Sequence, residues 1–375
     1  MASVKSVLIV GGGIAGMTLA TALQRNGIDA EIVEINPAWT VMGVGIAVQG
    51  ATLRALKAIG VLDRCVASGF PYSKLIACDV NGKVTGTVTL PSLLGPGYPE
   101  CVGIMRPILH EILYDALRAS GASVRLGLTI TSLKQSAGAV HAQFSDGTEG
   151  TYDLVVGADG VHSKVREIAF GAHIQPEFME QAVWRAMVER PSEIQGRYFF
   201  FGPRHKAGFN PVSQTEMYIF LIQNIPGNPR IPEERLPAVM RELLSDFGGV
   251  MARVRDQVTD PQRLVYRPFG SLLVPPPWYR GRVLLVGDAA HTCTPHMASG
   301  AGIAIEDAIV LAELLPSDAP LPELLDRFMA RRYERCRMVV ESSYQMAIWE
   351  RSPNTPGADP VGVLNRANAA LAAPL

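Results

Sequence analysis

The run Val7-Leu8-Ile9-Val10-Gly11-Gly12-Gly13-Ile14-Ala15-Gly16 constrains this chain more than any other segment. Consecutive apolar β-formers read as a parallel strand buried on both faces, since a half-exposed strand would alternate. Glycines follow at once with the spacing GxGxxG. From Ile14 to Arg25 the pattern is helical, and Asn26-Gly27 stops it. A second strand, Ala30 to Glu34, ends before Asn36-Pro37, completing a βαβ unit. In such a unit Gly11 permits the tight turn, Gly13 lets a pyrophosphate approach the backbone, and Gly16 lets helix and strand pack closely. Ile14 and Ala15 open the helix whose N-terminus faces the anion. Glu34 can accept hydrogen bonds from both hydroxyls of an adenosine ribose. Its charge opposes a 2′-phosphate, so the site suits FAD or NAD and not NADP.

The chain has 375 residues, which at ~100–200 residues per domain predicts two or three domains. Hydrophobic residues make up 48% and charged residues 18%, enough apolar surface to offset the entropy of folding. Lys and Arg number 34 against 35 Asp and Glu, a balance that argues against nucleic acid as a partner. The five cysteines are widely spaced without a CxxC, so neither a disulfide framework nor a structural metal site is expected. No leader peptide is expected, because the first apolar run ends in glycines. Nor is a membrane span, and a cytoplasmic location follows as the expectation.

Farther along, Val44 to Gln49 reads as a glycine-bearing loop and Thr52 to Ile59 as a helix. Asn81-Gly82 marks a hairpin between Ser73 and Thr89. Ile108 to Ala119 reads as an amphipathic helix, and Val124 to Phe144 as short antiparallel strands. Longer strands are expected from Gln181 to Asn224, helices from Ala301 to Leu315 and Glu323 to Met346, and a loosely attached tail at the end. Buried strands recur at Leu154 to Val156 and Arg282 to Val286. One of these runs into Gly157-Ala158-Asp159-Gly160 and the other into Gly287-Asp288. A carboxylate at a strand end beside small residues can hold a polyol such as the ribityl chain of a flavin.

Taken together, the GxGxxG, Asp159-Gly160 and Gly287-Asp288 in this order resemble the FAD-dependent aromatic hydroxylases of the para-hydroxybenzoate hydroxylase fold, over roughly residues 4 to 345. The resemblance implies an α/β fold: a Rossmann-like FAD-binding domain from 1–72, 101–170 and 278–345, interleaved with a β-sheet substrate domain from 73–100 and 171–277, then a tail from 346 to 375. It implies that Gly11, Gly13 and Gly16 hold ADP and Glu34 its ribose. Asp288 would meet the ribityl chain, and Asp159 with Gly160 would serve FAD and NAD(P)H. Arg106 would touch phosphate or ribityl oxygens, and Gly45 with Ile46 would pass the isoalloxazine ring. Pro295 would lie over the flavin. Gly300, Ala301 and Gly302 would open a helix aimed at its pyrimidine end, where negative charge develops on reduction.

The implied reaction is monooxygenation of a phenol or hydroxylated N-heteroaromatic. NADH or NADPH binds transiently, since no second GxGxxG is present, and O2 forms a flavin C4a-hydroperoxide. No thioredoxin-like C-terminal domain is expected. His296, after Pro295, and His205 are the candidate catalytic bases; Arg185, Phe209 and Tyr218 are the candidate substrate contacts. Arg185 either meets an acidic substrate or ties the two domains together. No metal is implied, and a monomer or homodimer is expected. The rival readings are an oxidase, halogenase or epoxidase on the same fold, or a non-catalytic flavin-binding protein.

Overall fold

The computed structural model describes residues 3–41, 43–352 and 355–375. Its central sheet has six strands in the order Tyr279–Arg280, Val283–Leu285, Leu154–Gly157, Ser6–Val10, Asp29–Glu34 and Ser123–Leu126. The last five run parallel, and Tyr279–Arg280 is antiparallel to its neighbour. Ser6–Val10 lies inside the sheet, which explains its unbroken apolar run: Val7 to Val10 are buried on both faces. Helix Ile14–Arg25 follows its glycine turn and packs against helices Arg106–Ser120 and Gly300–Leu314.

Two sequence expectations change here. Ser123–Leu126 is not antiparallel; it joins the main sheet parallel to Asp29–Glu34. It is an edge strand, and solvent on one side gives it the mixed pattern of an antiparallel strand. Val44 to Gln49 is not a loop. Gly45–Gln49 pairs with Cys101–Met105, which also pairs with Phe70–Tyr72, in a small antiparallel sheet. Its hydrogen-bond partners lie far along the chain, where local pattern cannot reveal them.

A seven-stranded sheet faces this small one. Its order is Leu264–Ser271, Glu177–Glu189, Glu216–Asn224, Lys206–Pro211, Arg197–Phe201, Lys74–Cys78 and Val84–Thr89. One face, the back, buries Trp184, Phe200, Phe209 and Ile219 against helices carrying Met240 and Met251. The front presents Met187, Tyr218 and Phe220 to Val44 of the small-sheet side. The two sheets meet at Gly103, where a Cβ would lie 1.8 Å from the Pro211 carbonyl oxygen.

The C-terminal stretch also departs from expectation. Helix Leu321–Arg351 runs past the break placed at 345. The residues beyond it form a second helix, Pro360–Ala372, capped by Asp359, whose carboxylate accepts from Gly362 N–H at 2.8 Å. Arg54 donates to the carbonyls of Leu371, Ala372 and Ala373, and Arg335 to those of Ala370 and Leu371. These arginines satisfy carbonyls that a helix end leaves unpaired, and Ala367 and Leu371 are buried. Among the described residues no helix is long and apolar enough to cross a membrane.

Candidate functional site

A cleft of about 260 Å³ lies along the C-terminal ends of the parallel strands, between the glycine turn and the Asp159-Gly160 turn. Gly11 has φ +108°, and a Cβ there would lie 2.5 Å from the Ala158 carbonyl oxygen. A Cβ on Gly16 would lie 2.0 Å from the Gly11 oxygen. Gly13 lines the cleft, and a Cβ there would meet no atom within 4 Å, so any side chain would project into the cleft itself.

Glu34 closes one end. Its Oε2 accepts from Gly12 N–H at 2.7 Å and its Oε1 from Asn36 N–H at 2.8 Å. These donors fix the carboxylate, and each oxygen keeps a lone pair for a hydroxyl. The sequence reading missed Ile35 and Leu128, which flank Glu34 in the cleft. Ile35 is 67% exposed. The two offer an apolar surface to a flat heterocycle; an apolar residue just after a strand-end acid was the available signal.

Asp159 lines the cleft, and its carboxylate also has a local role. Its Oδ1 accepts from Ser163 Oγ at 2.5 Å, and its Oδ2 from Lys164 N–H at 2.7 Å and Val165 N–H at 3.0 Å. The carboxylate therefore caps its own following helix, Lys164–Phe170. Burial raises its pKa against these bonds. The turn itself, with Gly160 at φ +79°, still lines the cleft.

The motifs at residues 15 and 287 meet. Gly287 adopts φ +59°, and a Cβ there would lie 3.2 Å from Ala304 Cβ and 3.4 Å from Ala15 Cβ. Its N–H donates to Asp307 Oδ2 at 2.9 Å. The same oxygen bonds His291 Nε2 at 2.5 Å, and Oδ1 accepts from Arg332 Nε at 2.8 Å. His291, Asp307 and Cys336 could together approach a metal ion, but Asp307 is already saturated and Arg332 brings the positive charge. The turn thus leaves Asp288 accessible and within reach of the Arg106 charge. Burial raises the Asp288 pKa, and His291 and Arg106 oppose the rise.

Arg106 begins helix Arg106–Ser120. Its Nε is buried without a hydrogen-bond partner. Burial lowers its pKa, and Arg267 adds to that. Such an orphaned guanidinium beside an open carboxylate fits the phosphate and ribityl oxygens of a flavin nucleotide. Gly45 and Ile46 begin the small-sheet strand opposite; a Cβ on Gly45 would lie 2.6 Å from the Tyr218 ring. Pro295 starts the turn Pro295–Met297, and Gly300 and Ala301 open helix Gly300–Leu314 with free N–H groups. Gly302 serves packing, because a Cβ there would lie 2.1 Å from Thr52 Oγ1.

Of the substrate candidates, Arg185 and Tyr218 lie on the front face of the large sheet. Phe209 does not: it is fully buried in the back-face core, with its ring 5.2 Å from Phe200. His205 precedes it on that side, near Arg204 and Asp246, and burial lowers its pKa. Strand alternation puts Lys206 on the front face in its place.

His296 has both ring nitrogens engaged. Its side chain is fully buried; Nδ1 bonds Thr294 Oγ1 at 2.7 Å and Nε2 bonds Glu350 Oε2 at 3.0 Å. Glu350 also pairs with Lys206. Burial would raise the Glu350 pKa, but Lys206 and His296 bring it down to about 2. An ionised carboxylate can only accept, so His296 Nε2 must carry its proton. Nothing in the sequence places Glu350 beside His296.

The FAD binding domain family model matches residues 5–343. The chain is 31% identical to the aurachin C monooxygenase/isomerase of Stigmatella aurantiaca, covering 92% of this chain and 91% of that one. It is 29% identical to the 3-amino-4-hydroxybenzoate 2-monooxygenase of Streptomyces cremeus, covering 88% and 83%. Its fold matches Klebsiella pneumoniae HpxO, solved with FAD and uric acid, with a TM-score of 0.85 over 98% of this chain and 96% of that one, at 22% identity.

Proposed function

Because the chain belongs to the FAD-dependent aromatic monooxygenase family, we propose that it uses NADH or NADPH and O2 to hydroxylate a small aromatic or N-heteroaromatic ring between its small sheet and the front of its large sheet. The observation that carries this reading is the meeting of three separate motifs: the glycine turn with Glu34, Arg106, and Gly287-Asp288. Gly287 packs on Ala15 of the helix that follows the glycine turn, and Asp288 lies within reach of the Arg106 charge.

FAD fits these residues. Glu34 would take the adenosine ribose and the Gly11 to Gly16 turn the pyrophosphate. Asp288 would take ribityl hydroxyls, Arg106 the neighbouring oxygens, and the N–H groups of Gly300 and Ala301 the pyrimidine end. When bound, FAD supplies the electrons drawn from NAD(P)H and the activation of O2. The rest falls to the chain. Val44, Tyr218 and Phe220 form an apolar wall that excludes water from the ring. Pro295 shapes the ceiling. His296, whose ring nitrogens are both bonded, positions Glu350 and through it Lys206 at the pocket edge. His205 stands outside the pocket, so this reading needs no histidine base.

The test is product stoichiometry. The purified protein, carrying about one FAD per chain, is mixed with NAD(P)H and a panel of phenols, aromatic acids and quinolones in ¹⁸O2. A matching ring should accelerate NAD(P)H oxidation and gain one labelled oxygen per NAD(P)H consumed. Protein without FAD, or NAD(P)H use that yields only peroxide with every ring, would overturn the proposal and favour an oxidase or a flavin-binding protein.

A further inference from the structure

We infer that His110 is a further residue that holds FAD, donating from Nε2 to a phosphate oxygen between Glu34 and Arg106; this rests on the FAD placement of the monooxygenase reading. His110 lies four residues after Arg106 on helix Arg106–Ser120, so the two side chains leave one face of the helix a turn apart. Each has a nitrogen, Nε2 of His110 and Nε of Arg106, that is enclosed without a hydrogen-bond partner. The segment after Glu34 runs across that same face. Trp39 meets His110 edge-on, with ring centroids 5.8 Å apart, and Tyr114 with centroids 5.1 Å apart. A Cβ on Gly43 would lie 3.2 Å from Arg106 Cδ. The chain thus passes Glu34, then His110, then Arg106. The ribose, the pyrophosphate and the ribityl chain of FAD would follow one another in the same order.

Trp39 adopts φ +45°, a left-handed conformation that strains a non-glycine residue. Its indole N–H donates to the Gly12 carbonyl at 2.9 Å, and Gly12 N–H donates to Glu34 Oε2 at 2.7 Å. The ring therefore ties His110 to the glycine turn and to the ribose acceptor. An enclosed ring nitrogen has given up its bond to water, and that loss calls for a partner. Burial lowers the His110 pKa, and Glu34 raises it. On its own helix Arg106 and Tyr114 share its face. Of the elements packed on that helix, Leu62–Ser68 brings Asp63 and Arg64, the latter paired with Asp115. Helix Ile14–Arg25 brings Arg25, which donates to the Ile59 carbonyl. Strand Cys101–Met105 brings the Cys101 thiol, raised to about 11 by burial. A phosphate at Nε2 adds a negative charge, which favours the imidazolium. The bound state then has the higher pKa. The affinity so gained is complete below the free value and is lost as pH rises through the bound one.

The test needs no turnover. The holoprotein is diluted at pH 6, 7 and 8, and FAD release is read from the rise in flavin fluorescence. In the parent, Kd should fall several-fold from pH 8 to pH 6. His110→Phe keeps a ring against Trp39 and removes the donor. It should raise Kd roughly ten- to hundredfold at pH 6 and flatten the pH dependence. His110→Gln keeps a donor and removes the ring and its titration. It should lose less affinity than the Phe variant and be equally flat. Displacement of FAD by ADP should weaken in the Phe variant by a similar factor, while displacement by adenosine, which carries no phosphate, should not change. A Phe variant that keeps FAD as the parent does, a pH dependence unchanged in both variants, or equal losses for ADP and adenosine would each overturn the inference. So would a Gln variant weaker than the Phe variant, which would assign His110 to the packing of Trp39. A parent that carries no FAD would overturn the cofactor placement as well, so the two failures read differently.

Discussion

Changing Asp307 to Asn removes one negative charge that three separate elements share. Its carboxylate accepts from Gly287 N–H at 2.9 Å and Arg332 Nε at 2.8 Å, and bonds His291 Nε2 at 2.5 Å, all fully enclosed. Burial would raise the Asp307 pKa, but His291 and Arg332 hold it down at about 2. Against an ordinary value of 3.8, that depression corresponds to roughly 2–3 kcal/mol of stability, at about 1.4 kcal/mol per unit. Deleting one member of a buried ion cluster costs about 3–5 kcal/mol by a separate route, because the remaining charge is stranded. Arg332 keeps Glu306 and the Ile303 carbonyl, so about 3 kcal/mol is expected.

The pH dependence carries a sign that can be checked. Asp307 is depressed, so its contribution is complete above pH ~4 and is lost as pH falls toward 2. His291 is raised well above its ordinary value: burial opposes this, and Cys336 and Asp307 overcome it. Its contribution is complete below pH ~6.5 and is lost only as pH rises through that higher value. Denaturant unfolding of parent and variant at several pH values should show the widest gap between about pH 4 and 6.5. The variant should also lose FAD more readily on dilution, because Gly287 no longer holds Asp288 in place. A gap below ~0.5 kcal/mol, the range of an ordinary surface change, would refute this account of the cluster.

Three further outcomes are expected. Glu34→Ala should release FAD on gel filtration, since the ribose loses its acceptor and the Gly12 and Asn36 N–H groups lose theirs; each charge-assisted bond is worth ~1.5–3 kcal/mol. Glu350→Gln should destabilise the protein by about 3 kcal/mol at neutral pH, with the difference from the parent shrinking as acid titrates the parent carboxylate below its ordinary 4.5 toward 2, while FAD content holds, as read by thermal unfolding and the bound-flavin spectrum. Arg54→Ala should strip the Ala372 and Ala373 carbonyls of their donor and leave that of Leu371 to Arg335 alone, and limited proteolysis should then cut helix Pro360–Ala372 free sooner than in the parent.

The turns that line the cleft were legible in the sequence because their signals are short-range. A double-sided buried strand, a glycine turn and a strand-end acid each express local geometry, and Ile14–Arg25 forms as its pattern predicts. Gly287-Asp288 was legible for the same reason, although the hold of Asp307 on that turn was not. The substrate half was decided by register and by packing. Side chains alternate across a strand, so one residue of phase sends Phe209 and His205 to the back face and Lys206 to the front. His296 sits in a motif that the family resemblance implies is near the flavin, yet a glutamate from the distant end of Leu321–Arg351 occupies its ring nitrogen. Arg106, Arg185, Arg197 and Arg267 come from a helix and three separated strands. Only the tertiary fold brings their charges within range of one another, since contact between distant segments is a property of tertiary structure and not of local pattern.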